Sequence, residues 1–466
     1  MDRIVEFIVR MVCAAAGWAR ILPGVDYAKH APGEPWKILL VGYNGARNTG
    51  SDVRVAALAD QIEEALGTEN AELSVMTMDE ASTAVYFDGK VRQVQFSTLF
   101  FGDLLKACSE HHAAILCEGS TFKSKFADAL TLYNCQAAGV MRAQGKPCFA
   151  YGSEVGAMEP YLERTVRDLC TDVRLAVRSR GSLEELARIG VGGFLGTDTA
   201  WRFDSSRASD EARELLRAAG WDGESPLLGI APVNPFCWPV KPSLGKLARA
   251  VVTGDRKLQF QSWYFFSWSD ERERKFHAYL DALAEACSTF VAERGFQPVI
   301  FGMEKLDAEA CRLLGERLGG AAPIFLSSEH DGFVMSELLR SLTLLVTSRY
   351  HAQVLATAAY VPTVAVSMDE RLDNLAGELR ADPNLLLHVD DADLGPRVLV
   401  ALDHACDNAA SLREGLAEAY GEVCAKLDDM GDWFVREISS VEGYSSASAS
   451  PALSLSSPMR ACNART

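Results

Sequence analysis

A chain of 466 residues exceeds what one ordinary hydrophobic core supports, so two domains are expected. With 48% hydrophobic residues, 23% charged residues and a net charge of −17, the balance is globular and lacks the basic field that indiscriminate nucleic-acid binding needs. The twelve cysteines form no C-x-x-C pair, and several lie in apolar runs, as Cys117 and Cys148 do. That argues for buried, reduced thiols and against a disulfide framework or a zinc site.

The chain starts "MDRIVEFIVRMVCAAAGWARILPG", where Glu6, Arg10 and Arg20 interrupt any signal peptide or membrane span. As a helix, Arg3, Glu6, Arg10 and Arg20 form a narrow polar stripe beside a broad apolar face. Residues 1–35 are therefore expected to pack as an amphipathic helix on their own domain or on a second subunit. Peripheral contact with a membrane surface is the alternative.

From Trp36 onward, apolar strands alternate with amphipathic helices: "WKILLVGYNG", then "DVRVAALADQIEEAL", then "AELSVMTM", and so on to "KPCFAYGS". This alternation predicts a parallel, doubly wound sheet over 36–205. The segment 206–226 reads as a linker, and a second Rossmann-like series over 227–443 follows. The Ser/Ala-rich residues 444–466 have little to bury and are expected to be disordered. A cleft at the carboxyl ends of both sheets is where such folds bind ligands.

Four segments hold residues suited to chemistry. In "VGYNGARNTGSDVRVAAL", Gly42, Gly45 and Gly50 permit tight turns before a helix that begins near Ser51 or Asp52. Arg47 beside Asn48 suits a carboxylate or phosphate, although the segment reads equally as a loop capped by Ser51 or Asp52. In "LCEGSTFKSKF", Glu118 follows a strand while Gly119 and Ser120 open a helix. Glu118 is either a proton-transfer group or a helix cap. In the third, Arg178 is a cleft cation or an ion-pair partner. Asp198 binds a sugar hydroxyl, orients Arg178, or is a plain loop aspartate.

The fourth is "LLVTSRYHAQVLATAAYVPTVAV", with Ser348 as a natural N-cap and Arg349 and His351 in the first helical turn. A cation there opposes the helix dipole, so an anion is expected to join it. The aromatic run "FQSWYFFSWS" reads as core or a loop plug rather than a sugar-binding wall.

Together these segments resemble the polysaccharide pyruvyl transferases. Gly42, Tyr43, Gly45, Asn48 and Gly50 match that family's G-Y-x-G-x-x-N-x-G, and "GSTF" and "QGKPCFAYGSEVG" follow in order. Arg178, Ser182 and Asp198 match a later segment. Arg349, His351 and Ala352 match its S-x-R-x-H-A, with Thr347 replacing the Ser, and Val361 and Pro362 come after. Cys117-Glu118-Gly119 stands where the family has a glycine triplet, and Ser179 where it has Asp. The resemblance spans Lys37 to Leu375.

It implies two doubly wound Rossmann-like domains in a GT-B-like arrangement with a cleft between them. It implies an enzyme of exopolysaccharide synthesis that transfers pyruvate, as a cyclic ketal, from phosphoenolpyruvate to two hydroxyls of a sugar. Arg349 and Arg178 would bind the donor, with Ser348, Gly45, Arg47, Asn48, Gly50, Gly119 and Ser120 around it. His351 would be the acid/base group, with Glu118 and Asp198 aiding proton transfer or acceptor binding. No metal or other cofactor is implied beyond phosphoenolpyruvate as donor.

The expected partner is a glycan or glycoside acceptor, lipid-linked or free, with no nucleic acid. A homo-oligomer stays open, and the expected location is cytoplasmic, at the inner face of the membrane if the N-terminal helix docks there. The alternatives are a GT-B-type glycosyltransferase that uses a nucleotide sugar, or a non-catalytic binding or scaffold protein on the same fold.

Overall fold

The first strand, Trp36–Asn44 (β1), is buried along its length apart from Lys37 and Tyr43. Such a continuous apolar run is what a strand covered on both faces requires. The computed structural model describes residues 2–18, 27–254 and 258–441. The segment 444–466, expected to be disordered, lies outside the described residues.

Six more strands join β1: Ala71–Thr77 (β2), Arg92–Gln95 (β3), Ala113–Leu116 (β4), Cys148–Ser153 (β5), Arg174–Val177 (β6) and Phe194–Leu195 (β7). All pair in parallel, in the order β3-β2-β1-β4-β5-β6-β7. The order reverses between β1 and β4, which opens a crevice at the strands' carboxyl ends.

The second half begins with Leu227–Ala231 (β8). Next come Lys241–Pro242 (β9), Gln259–Gln261 (β10) and Tyr264–Phe265 (β11), a small antiparallel sheet. The main sheet then continues with Gln297–Gly302 (β12), Ile324–Leu326 (β13), Leu344–Thr347 (β14), Thr363–Ser367 (β15) and Leu386–His388 (β16). Its order is β13-β12-β8-β14-β15-β16, again all parallel, with the reversal between β8 and β14. The fold is thus two doubly wound α/β sheets facing a cleft, as expected. The segment between the sheets is ordered, with the helix Ser209–Ala218 burying Ala212 and Leu216.

Several contacts fix the halves to each other. The long helix Ala409–Ser439 leaves the second sheet and buries Trp433 and Phe434 against the first. The Phe434 ring meets that of Phe149 on β5 at 4.9 Å, and Gln61 Nε2 donates to Leu427 O at 2.6 Å. On the other side, Tyr86 stacks on Phe333, and its hydroxyl accepts from Gly332 N at 2.7 Å.

The N-terminal helix, Asp2–Trp18, packs on its own domain through Val5, Val9, Cys13 and Ala16. Gly139 permits the approach, since a Cβ there would lie 2.5 Å from Cys13 Sγ. Glu6 is held by Arg3 at 2.8 Å, Arg10 at 3.0 Å and Thr165 at 2.9 Å. Among the described residues no helix is long and apolar enough to cross a membrane, and all eleven cysteines are free thiols.

Candidate functional site

The four segments meet in one cavity between the sheets, about 1400 Å³ with its mouth included. Gly42, Tyr43 and Asn48 line it from the β1 turn, and Glu118, Gly119 and Ser120 from the β4 turn. Arg178 follows β6, and Arg349 and His351 follow β14.

At the β1 turn the chain passes through Gly45 (φ 79°) and Arg47 (φ 55°) before the helix Thr49–Leu66. The cap is Asn48, whose Oδ1 accepts from Ser51 N at 3.2 Å, rather than Ser51 or Asp52. Asp52 is buried one turn in, where Gly45 N donates to it at 3.4 Å, and burial pushes its carboxyl up to about 7. Gly50 faces the second domain: a Cβ there would lie 2.0 Å from His351 Nδ1.

Neither Gly45 nor Arg47 lines the cavity. Arg47 instead latches the domains through its carbonyl, which accepts from Ser327 Oγ at 2.7 Å and from Lys305 N at 3.3 Å.

After β4, Glu118 is nearly buried and accepts from Tyr43 N at 3.1 Å and Ser120 N at 3.3 Å. Gly119 and Ser120 do not open a helix. They begin an irregular loop that becomes helical only at Asp128. Lys123 on that loop pairs with Glu370 at 2.9 Å and Asp369 at 3.7 Å across the cleft.

The arginines differ most from expectation. Arg178 donates to Glu154 Oε2 at 2.6 Å and to Asp198 Oδ2 at 2.8 Å, and lies 4.0 Å from the Tyr350 ring centroid. Asp198 is fully buried beneath the cavity and also pairs with Arg54 at 3.0 Å. Burial opposes its charge, but the Arg54 and Arg178 guanidiniums hold it well below the usual carboxylate range. Arg349 is paired with Asp307, and with Glu304 Oε2 at 3.1 Å. Neither guanidinium is free to meet a ligand anion as a bare charge.

Ser348 is not the N-cap either. Its hydroxyl meets Tyr279 Oη at 2.8 Å and lies off the cavity, so the cap position falls to Arg349. Arg349 N donates to Thr347 Oγ1 at 2.8 Å, but the Arg349 side chain offers no acceptor to the N–H groups that follow at the start of the helix Tyr350–Thr357. His351 follows, its Nε2 3.5 Å from Asp198 Oδ2 and without a hydrogen-bond partner. Burial lowers its pKa to about 4, so the imidazole is neutral at pH 7 and is a proton acceptor rather than a cation.

Sequence reasoning missed Arg54, Glu154, Glu304 and Asp307. Arg54 carried a signal, a lone charge on the apolar face of "DVRVAALADQI". Glu304 carried another, since it follows β12 much as Glu118 follows β4. The aromatic run is largely core, as expected: Tyr264 and Phe265 are buried, and Trp263 and Trp268 pack on core clusters. Two of its members, Phe260 and Tyr264, also line the cavity with Phe96, Phe126, Tyr133 and Trp238, which gives it an apolar part beside the polar one.

These features define a two-domain α/β protein of GT-B-like architecture with one cleft between its sheets. The sequence matches no protein-family profile and no curated protein. Solved structures match the fold over nearly its whole length. UDP-GlcNAc 2-epimerase from Neisseria meningitidis, bound to UDP-GlcNAc, is similar with a TM-score of 0.54 and 9% identity, covering 86% of this chain and 99% of that one. A putative UDP-N-acetylglucosamine 2-epimerase from Listeria monocytogenes gives 0.54 and 14%, covering 87% and 96%. The enzyme from Rickettsia bellii gives 0.51 and 10%, covering 88% and 98%.

The expected pyruvyl transferase is corrected by these findings. The solved structures that the fold resembles are UDP-GlcNAc 2-epimerases rather than pyruvyl transferases. The physical reason agrees: Arg349 and Arg178, which phosphoenolpyruvate's carboxylate and phosphate would need, are each held by two carboxylates. The ketal-transfer activity, the phosphoenolpyruvate donor and the exopolysaccharide role fall with it.

Proposed function

We propose that the cleft binds a nucleotide sugar and transforms its sugar part. The observation that carries this reading is the uncapped start of the helix Tyr350–Thr357 at the cavity wall. With the nearby arginines neutralised by their own carboxylates, the helix N–H groups and dipole are the available attraction for a diphosphate. The similar Neisseria meningitidis structure, bound to UDP-GlcNAc, suggests the ligand class.

His351 then lies beside the diphosphate as a neutral base, and Asp198 beneath it favours the imidazolium that proton uptake creates. Glu118, braced by two backbone N–H groups across the cavity, is the second candidate for proton transfer. The arrangement suits epimerisation of a bound UDP-sugar.

Transfer to an acceptor is a second reading, favoured by the apolar part of the cavity, where Trp238, Phe260 and Phe126 would stack on a second substrate. Calorimetric titration of UDP and UDP-sugars into the protein tests the proposal. Saturable binding is expected, weakened by Gly50→Ala, which drives a methyl into the His351 ring. The absence of binding by every nucleoside diphosphate tried would overturn it.

A further inference from the structure

The N-terminal helix carries two apolar stripes. One is buried on its domain. The other, Ile4, Phe7, Met11 and Trp18, faces solvent with relative exposures of 54 to 69%. A helix apolar on both sides calls for a second cover. The helix Leu244–Thr253 repeats the pattern: Ala250 is buried, while Leu244, Val251 and Val252 are exposed, the last at 85%. Of ten large apolar side chains exposed among the described residues, eight belong to these two helices and to Leu99. Leu99 sits on the loop whose Phe96, Thr98 and Phe100 line the cavity.

The pieces adjoin. Asp2 interacts electrostatically with Lys241 on β9, the strand that leads into the second helix. Trp263 packs against the cluster that holds Val5 and Val9. The same small sheet sends Phe260 and Tyr264 into the cavity.

We propose that these two helices and the Leu99 loop dock the protein on an anionic lipid surface, with the apolar part of the cleft opening beside it. Charge selects this occupant. From Lys241 to Gly254 the chain carries Lys241, Lys246 and Arg249 and no acid, although the whole protein is at −17. A second copy meeting this face symmetrically would set those cations against themselves, whereas anionic headgroups complement them. Trp18, at the end of the exposed stripe, suits the headgroup level. The inference does not depend on the nucleotide-sugar reading, since it concerns the outer surface and not the cavity's ligand.

Flotation of the full chain with vesicles of equal parts phosphatidylglycerol and phosphatidylcholine tests it. The protein should float with these vesicles, far less with phosphatidylcholine alone, and less at high salt. The variant carrying Phe7→Glu and Val252→Glu should lose about tenfold or more of the bound fraction while keeping its melting temperature, because both side chains are exposed. Lys246→Glu with Arg249→Glu should weaken binding to the anionic vesicles several-fold. No flotation by the parent, or equal flotation by the variants, would overturn the proposal. So would a dimer that Phe7→Glu splits, which would give the patch to a second copy.

Discussion

Arg349 shows how a residue's setting reverses its meaning. As a lone cation at a helix start it opposes the dipole, and its removal should leave the empty fold as stable as before. In the structure it neutralises Asp307 and Glu304 in a nearly buried site. Removing one partner of such a group strands the others, at a cost of about 3–5 kcal/mol. Arg349→Met is therefore expected to lower the urea midpoint strongly. Unchanged stability would show that the pairing contributes little.

Asp52 offers a test with a definite sign. Its carboxyl is pushed from 3.8 to about 7 by burial, so the folded state holds a proton that the unfolded state gives up. Its stabilising contribution is complete below pH 3.8 and is lost as pH rises towards 7. Asp52→Asn, which keeps an oxygen for Gly45 N, should be near neutral in stability at pH 4. It should become increasingly stabilising up to about pH 7 and level off above. Thermal melts of both proteins across that range would show it, and a flat difference would disprove the raised pKa.

At the scale of elements, the central strands of both sheets were legible because buried parallel strands read as unbroken apolar runs, as in "WKILLVGY" and "LLVTS". The weaker strands were not. β3 is half-exposed and β9 includes Pro242, so neither shows a period long enough to read, although the short β7 was legible as the strand before Asp198.

The helix caps divide in the same way. Local rules favour Ser348 as a cap, but Tyr279, distant in sequence, claims its hydroxyl. The site's cations were visible for the same reason that their neutralisation was not. Arg178 and Arg349 stand at strand ends in the sequence, whereas Glu154 and Asp307 reach them only through the fold. The final helix supplies the prediction at this scale. Phe434→Ala removes a fully buried ring packed against Phe149 and should cost about 3–5 kcal/mol. Because that helix joins the second half to the first sheet, the two halves should still unfold in one transition in the parent, and separate transitions should emerge in the variant. Calorimetry distinguishes the cases, and a single unshifted peak would contradict the bridging role.

For the whole molecule, the two sheets hold a cleft whose wall is polar in one part and aromatic in another, and the loops after β1 and β4 latch the halves across it. The uncapped helix start, the neutral His351 and the buried Asp198 lie together at the polar part. The central claim, chemistry on a nucleotide sugar, is tested most directly by following UDP-GlcNAc and related UDP-sugars by proton and phosphorus NMR in the presence of the full chain. A changed sugar configuration is the predicted result, or UDP release on the acceptor reading, and His351→Gln should slow either by about 10²-fold or more while binding UDP as the parent does. Unchanged spectra for every UDP-sugar, or a His351→Gln variant as active as the parent, would contradict it.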